Sequence, residues 1–190
     1  MAEKTVVGLG EVLWDIYPEG RYPGGAPANV AAHARRFGAR GVVVSGVGED
    51  EPGEELAGAL ATQGLETRWI QKIPGRSTGS VKVTLNEQGI PSFVCSSQTA
   101  FDFLSWNGDL EHLASEADAV ITGTLSQRNA HSRRTIQRFF REAGRALRVL
   151  DVNFRDWTPD VRSVVEETLP DTDILKLNDN EMDRMRRALA

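Results

Sequence analysis

Gly24-Gly25-Ala26-Pro27-Ala28-Asn29-Val30-Ala31 decides how this chain of 190 residues is read. Two adjacent glycines let a backbone approach a ligand with no Cβ in the way. Pro27 suits a first helical turn, where its missing N–H costs nothing. Val30, Ala34 and Phe37 recur at helical spacing, and Gly38 stands where that helix should stop. The stretch predicts a helix from Pro27 to Phe37 whose unpaired N–H groups point at the space the glycines open. Asn29 adds a side chain that both donates and accepts there. Taken alone, the same residues also describe a tight turn before an ordinary helix.

Working outward, Thr5 to Leu9 reads as a buried strand. In Leu13 to Tyr17 the residues Leu13, Asp15 and Tyr17 share one face, Trp14 and Ile16 the other. Val42 to Val47 is a β-branched strand, and Pro52 to Gln63 a helix closed by Gly64. Short strands are expected at Glu66 to Ile70, Gly79 to Leu85 and Ile90 to Cys95, with Asn86-Glu87-Gln88-Gly89 as a hairpin loop. From Asp118 the pattern repeats as strand and helix. Strands at Ala119 to Thr122, Val149 to Val152 and Ile174 to Leu177 alternate with helices at Ser132 to Arg145, around Val161 to Val165, and at Glu181 to Leu189. That alternation predicts an α/β fold with a mostly parallel sheet flanked by helices, and ligands at the carboxyl ends of its strands. Segments 13–21 and 66–98 are expected to form a small β lid within a single domain spanning 1–190.

Composition narrows the function. Acidic residues number 27 against 22 basic ones, a net charge of −5, which argues against nucleic acid or an anionic membrane as partner. No apolar run reaches the length of a membrane span. Met1 to Thr5 lacks the features of a signal peptide, and the single Cys95 has no internal partner, so a cytoplasmic location is expected. Cys95 reads as a small strand residue. His33, His112 and His131 show no metal-ligand spacing. The series Arg128, Arg133, Arg134, Arg138, Arg141 and Arg145 reads as a solvated helix face. Gly8-x-Gly10 is no dinucleotide fingerprint, because Leu13 stands at the third glycine position and a strand follows. A P-loop is absent from the sequence.

Five stretches, taken together and in order, resemble the ribokinase-like sugar kinases, the PfkB carbohydrate kinase family. They are Gly8-Leu9-Gly10-Glu11-Val12-Leu13-Trp14-Asp15, the Gly24-Gly25 stretch through Gly38 and Gly48, Gly46 to Gly53, Asp151-Val152-Asn153-Phe154-Arg155, and Asn178-Asp179-Asn180-Glu181. The first and third resemble the fructokinase-like members. The resemblance implies a ribokinase-like, Rossmann-type fold and ATP-dependent phosphorylation of a sugar hydroxyl. Asp15, Gly24, Gly25 and Asn29 would hold the sugar, with Asn153 and Arg155 facing the pocket and Asp151 deeper, near the phosphate. Asn178 and Glu181 would hold Mg²⁺ and phosphates through water, although the same spacing makes a helix capping box.

Family members carry a further Gly-Ala-Gly-Asp run that supplies the anion hole and the catalytic base. No such run occurs in this sequence. The resemblance thus implies the sugar-binding N-terminal portion of a kinase, with no catalytic residue of its own and without the C-terminal half of the fold. Two alternatives accompany it: a non-catalytic product that binds sugar or forms a homodimer through the lid, and a nucleoside kinase of the same fold. Ile174 to Leu177 is expected to leave an open sheet edge, and Met182, Met185 and Leu189 to lack packing partners.

Overall fold

The computed structural model describes residues 3–85, 91–154 and 156–189. Its larger sheet has six strands: β1 (Thr5–Leu9), β4 (Arg40–Gly48), β5 (Ile70–Ile73), β8 (Ala119–Gly123), β9 (Leu147–Asp151) and β10 (Ile174–Lys176), in the order β10-β9-β8-β1-β4-β5. Every adjacent pair is parallel. Parallel strands need crossovers, and the helices supply them. α1 (Ala26–Arg36) and α2 (Glu51–Thr62) pack Ala28, Ala31, Leu56 and Leu60 on one face, against Val43 and Val47 of β4. α3 (Gly108–Glu116) and α4 (Ala130–Glu142) pack Leu110, Leu113, Ile136 and Phe139 on the other, against Val7, Leu9, Val42 and Val44. Consecutive valines thus serve opposite faces, which is why β4 is apolar without alternation.

A second sheet rises from the carboxyl end of the first. Its strands are β2 (Leu13–Tyr17), β3 (Gly20–Gly24), β6 (Gly79–Leu85) and β7 (Pro91–Cys95), in the order β3-β2-β6-β7. β2 pairs antiparallel with β3 and parallel with β6. Asp50 fastens its root. One carboxylate oxygen caps α2 through the Gly53 N–H at 2.9 Å, and the other accepts from the Thr78 N–H at 2.9 Å, one residue before β6.

Several expectations need correction. Ile70–Ile73 joins the large sheet beside β4, so only part of 66–98 belongs to the small one. Gly24 ends a strand, β3, which absorbs the stretch just before the Gly-Gly pair. α3 was not expected, because His112, Glu111 and Glu116 mask the short apolar set Leu110, Leu113 and Ala114. Met185 is buried with Leu150, Val152, Phe154 and Val165 of α5 (Pro159–Thr168), so α6 (Asp179–Leu189) is packed, while Met182 is exposed. Arg155 and the loop Asn86 to Gly89 lie outside the described residues.

Candidate functional site

Strand pairing sorts the small sheet into two faces. Leu13, Asp15, Tyr17, Tyr22, Val81, Val83, Phe93 and Cys95 share one; Trp14, Ile16, Arg21, Lys82 and Val94 share the other. Asp15 is the one charged side chain among the described strand residues of the first face. Burial raises its pKa. A half-buried carboxylate among aromatic and aliphatic groups has lost water that polar groups of a ligand can replace.

The glycines are shaped around carboxyl and carbonyl oxygens. A Cβ on Gly24 would lie 2.2 Å from Asp15 Oδ2, so only glycine admits the carboxylate there. Gly25 has φ +116°, and a Cβ on it would lie 2.3 Å from the Glu11 carbonyl oxygen. Gly25 is also the N-cap of α1 and offers no side chain to cap it. Asn29 is exposed one turn in, its N–H bonded to the Gly25 carbonyl at 3.0 Å. Asp15, Gly24, Gly25 and Asn29 thus meet at one corner, where β3 enters α1.

The same face of the small sheet closes a cleft of about 290 Å³. Val81, Phe93 and Cys95 form one wall; Thr124, Leu125 and Asn153 form the other, after β8 and β9. Thr124 Oγ1 donates to the Val152 carbonyl at 2.6 Å, tying those two strand ends together. Asn153 sits at φ +36°, a left-handed conformation that asparagine tolerates better than most residues. Asp151 lies just behind it and pairs with Lys176 at 2.9 Å.

Asn178 and Glu181 stand one strand further out, after β10. Glu181 Oε2 accepts from the Asn178 N–H at 2.8 Å, and Asn178 Oδ1 accepts from the Glu181 N–H at 3.0 Å. This is a closed capping box, as the spacing allowed. Among the described residues the second carboxylate oxygen of Glu181 makes no hydrogen bond.

Two features escaped the sequence reading. Arg128 is no part of a solvated face. Its guanidinium grips Asp102 through Nε (2.8 Å) and Nη2 (2.7 Å), and Nη2 also donates to the Ser96 carbonyl at 2.6 Å. Asp102 is 1% exposed, and its own capping box with Thr99 is local, but its cation comes from 26 residues away. The pair fastens the end of β7 to the body of the protein. Glu11, quoted only as part of the opening motif, is 3% exposed with its pKa pushed up to about 7, chiefly by burial.

Residues 19–189 match the family described as pfkB family carbohydrate kinase. The chain is 30% identical to the sugar kinase PH1459 of Pyrococcus horikoshii, over 93% of this chain and 62% of that protein. It is 31% identical to the fructokinase of Escherichia coli, over 91% of this chain and 60% of the relative. In structure it superposes on PH1459 with a TM-score of 0.87 at 29% identity, covering 97% of this chain and 66% of that one. A fructokinase from Xylella fastidiosa, solved with bound ATP, gives 0.85 at 27%, covering 99% and 62%. The chain therefore spans about 60% of the length of the curated relatives it matches. With the family's description matched over most of its length, and with a parallel sheet, a second sheet and a cleft between them, this chain belongs to the pfkB family of carbohydrate kinases.

Proposed function

We propose that this chain is the sugar-binding portion of a fructokinase-like, ATP-dependent kinase. The observation that carries the reading is Asp15: a lone carboxylate on an apolar sheet face, seated over Gly24 beside the uncapped start of α1. Two adjacent sugar hydroxyls can donate to its two oxygens, and Gly24 and Gly25 let the ring lie against the backbone. Asn29, at the start of α1, and Asn153, in the cleft wall, offer donors and acceptors, with Arg155 following in sequence. The small sheet covers the cleft and limits water, the competing phosphoryl acceptor. The substrate is a small sugar, and the exposed Ile16 and Val94, on the face turned away from Asp15, make the small sheet a candidate homodimer surface.

ATP and Mg²⁺ follow from the same reading; ATP would supply the phosphoryl group and Mg²⁺ would screen its charge. Among the described residues no three His, Cys, Asp or Glu side chains gather to hold a metal. Mg²⁺ keeps most of its waters and takes few carboxylates, so Asn178 and the free oxygen of Glu181 suit such an ion held through water. With no Gly-Ala-Gly-Asp run, the 190-residue chain is expected to bind sugar without transferring phosphate.

Calorimetry with D-fructose, other hexoses, pentoses and nucleosides tests the binding, and an assay for ATP-dependent sugar phosphate tests the transfer. Saturable binding of a sugar without turnover supports the reading. Preference for a nucleoside would transfer it to the nucleoside kinase alternative, and turnover by this chain alone would overturn the account of its catalytic groups.

A further inference from the structure

Glu11 and Ser126 are the unexplained pair in this fold. Both follow strands that lie side by side, β1 and β8, and both are buried, at 3% and 0% exposure. Glu11 Oε2 and Ser126 Oγ each lack a hydrogen bond of proper geometry, although they are neighbours. The contact leaves no room to spare: a Cβ on Gly10 would lie 2.5 Å from Ser126 Oγ. From β1 the chain goes on to β4 on one side, while β8 lies on the other. In open α/β sheets that reversal opens the crevice where ligands bind. Glu11 is also pressed against the start of α1: a Cβ on its N-cap Gly25, which supplies no side chain, would lie 2.3 Å from the Glu11 carbonyl oxygen.

We propose that Glu11 is a positioning residue for the sugar site, bridging the first turn of α1 to the Ser126 turn across this crevice, and that the bridge is set by one proton. The inference rests on the reading that the crevice binds sugar. Either charge state can join the two oxygens, the acid by donating to Ser126 Oγ and the carboxylate by accepting from it. Only the acid avoids a buried charge. The titratable groups set against Glu11 are Asp151 at the end of β9, itself tied to Lys176, and the Cys95 thiol at the end of β7. Burial penalises the charge on Glu11, and Asp151 adds a smaller repulsion, so the acid is held to near neutral pH. A sugar that closes the crevice removes more water and deepens that preference. Binding then takes up a proton, and affinity falls as pH rises through the Glu11 midpoint.

The test has a ligand-free arm and a ligand arm. In the free chain, carbon NMR of the Glu11 carboxyl, assigned with Glu11→Gln, should show a midpoint well above that of surface glutamates. The amide signals of Ala26 and Ser126 should move with the same midpoint, and stay fixed in Glu11→Gln. In the ligand arm, calorimetry with D-fructose should show affinity falling toward about tenfold per pH unit above the midpoint. Glu11→Gln, which keeps the shape of the acid, should bind across the range as the wild type does at low pH. Ser126→Ala should uncouple the Ser126 amide from the titration while leaving that of Ala26 coupled. A Glu11 that titrates with the surface glutamates, amides that ignore it, or a Gln variant with the wild-type slope overturns the proposal. If the free chain behaves as expected but binds no sugar, the bridge stands and the sugar reading fails.

Discussion

The starts of α1 and α6 both face the carboxyl end of the large sheet, and they are completed in opposite ways. α6 is finished by its own sequence: Asn178 and Glu181 exchange two hydrogen bonds across one turn. α1 begins at a glycine with no capping side chain and no acidic residue in its first turn. The Glu11 carboxyl, which follows β1, stands close to that start without capping it. A self-capped helix start is mechanically independent of its surroundings. One without a cap of its own depends on what distant segments bring beside it.

The largest effect that would sharpen this contrast is on binding. Asp15→Ala should lose about 3–6 kcal/mol of sugar affinity, two charge-assisted hydrogen bonds, with an unchanged melting temperature. Calorimetry against D-fructose decides, and an undiminished affinity would break the link between Asp15 and the α1 corner. Next comes Gly25→Ala. It forces a Cβ to 2.3 Å from the Glu11 carbonyl at φ +116° and should cost about 3 kcal/mol or more in urea unfolding.

A comparable effect should follow from pH alone. Glu11 is raised from 4.5 to about 7 in the fold. A carboxyl shifted upward stabilises the fold fully below its ordinary pKa, and that contribution disappears as pH rises through the folded value. Between these two values Glu11 should cost the chain about 3 kcal/mol of stability, and Glu11→Gln should remove most of the slope, leaving the part due to Asp15, which burial also raises. Asp50 and Asp118 are shifted downward, so their contributions vanish only in acid and do not overlap that window.

The smallest effects belong to α6. Asn178→Ala should cost about 1 kcal/mol, the usual worth of an N-cap, while Glu181→Gln, which can still accept from the Asn178 N–H, should stay within about half that. Thermal denaturation of both variants checks the order. A loss at Glu181→Gln as large as at Gly25→Ala would show that α6 also depends on groups outside its own turn.

The sequence by itself determined what is local. Among the described residues, hydrophobic period and turn residues named five of the six α-helices and the strands of the large sheet from β1 to β10, β5 excepted, because each pattern is complete within ten or so residues. It also placed Asp15 on one face with Leu13 and Tyr17, and paired Asn178 with Glu181. Tertiary structure alone decided what needs two distant segments. Ile70–Ile73 carries no mark of which sheet it will join; that follows from β4 offering an unpaired edge. Arg128 looks like its neighbours in the arginine series until Asp102 arrives beside it from 26 residues away. Glu11 is an ordinary acidic residue in sequence, and it becomes a near-neutral acid only because folding buries it at a strand end with Ser126 and Asp151 around it. Backbone preference and side-chain period act over a single turn, whereas burial and charge depend on what the rest of the chain brings into contact.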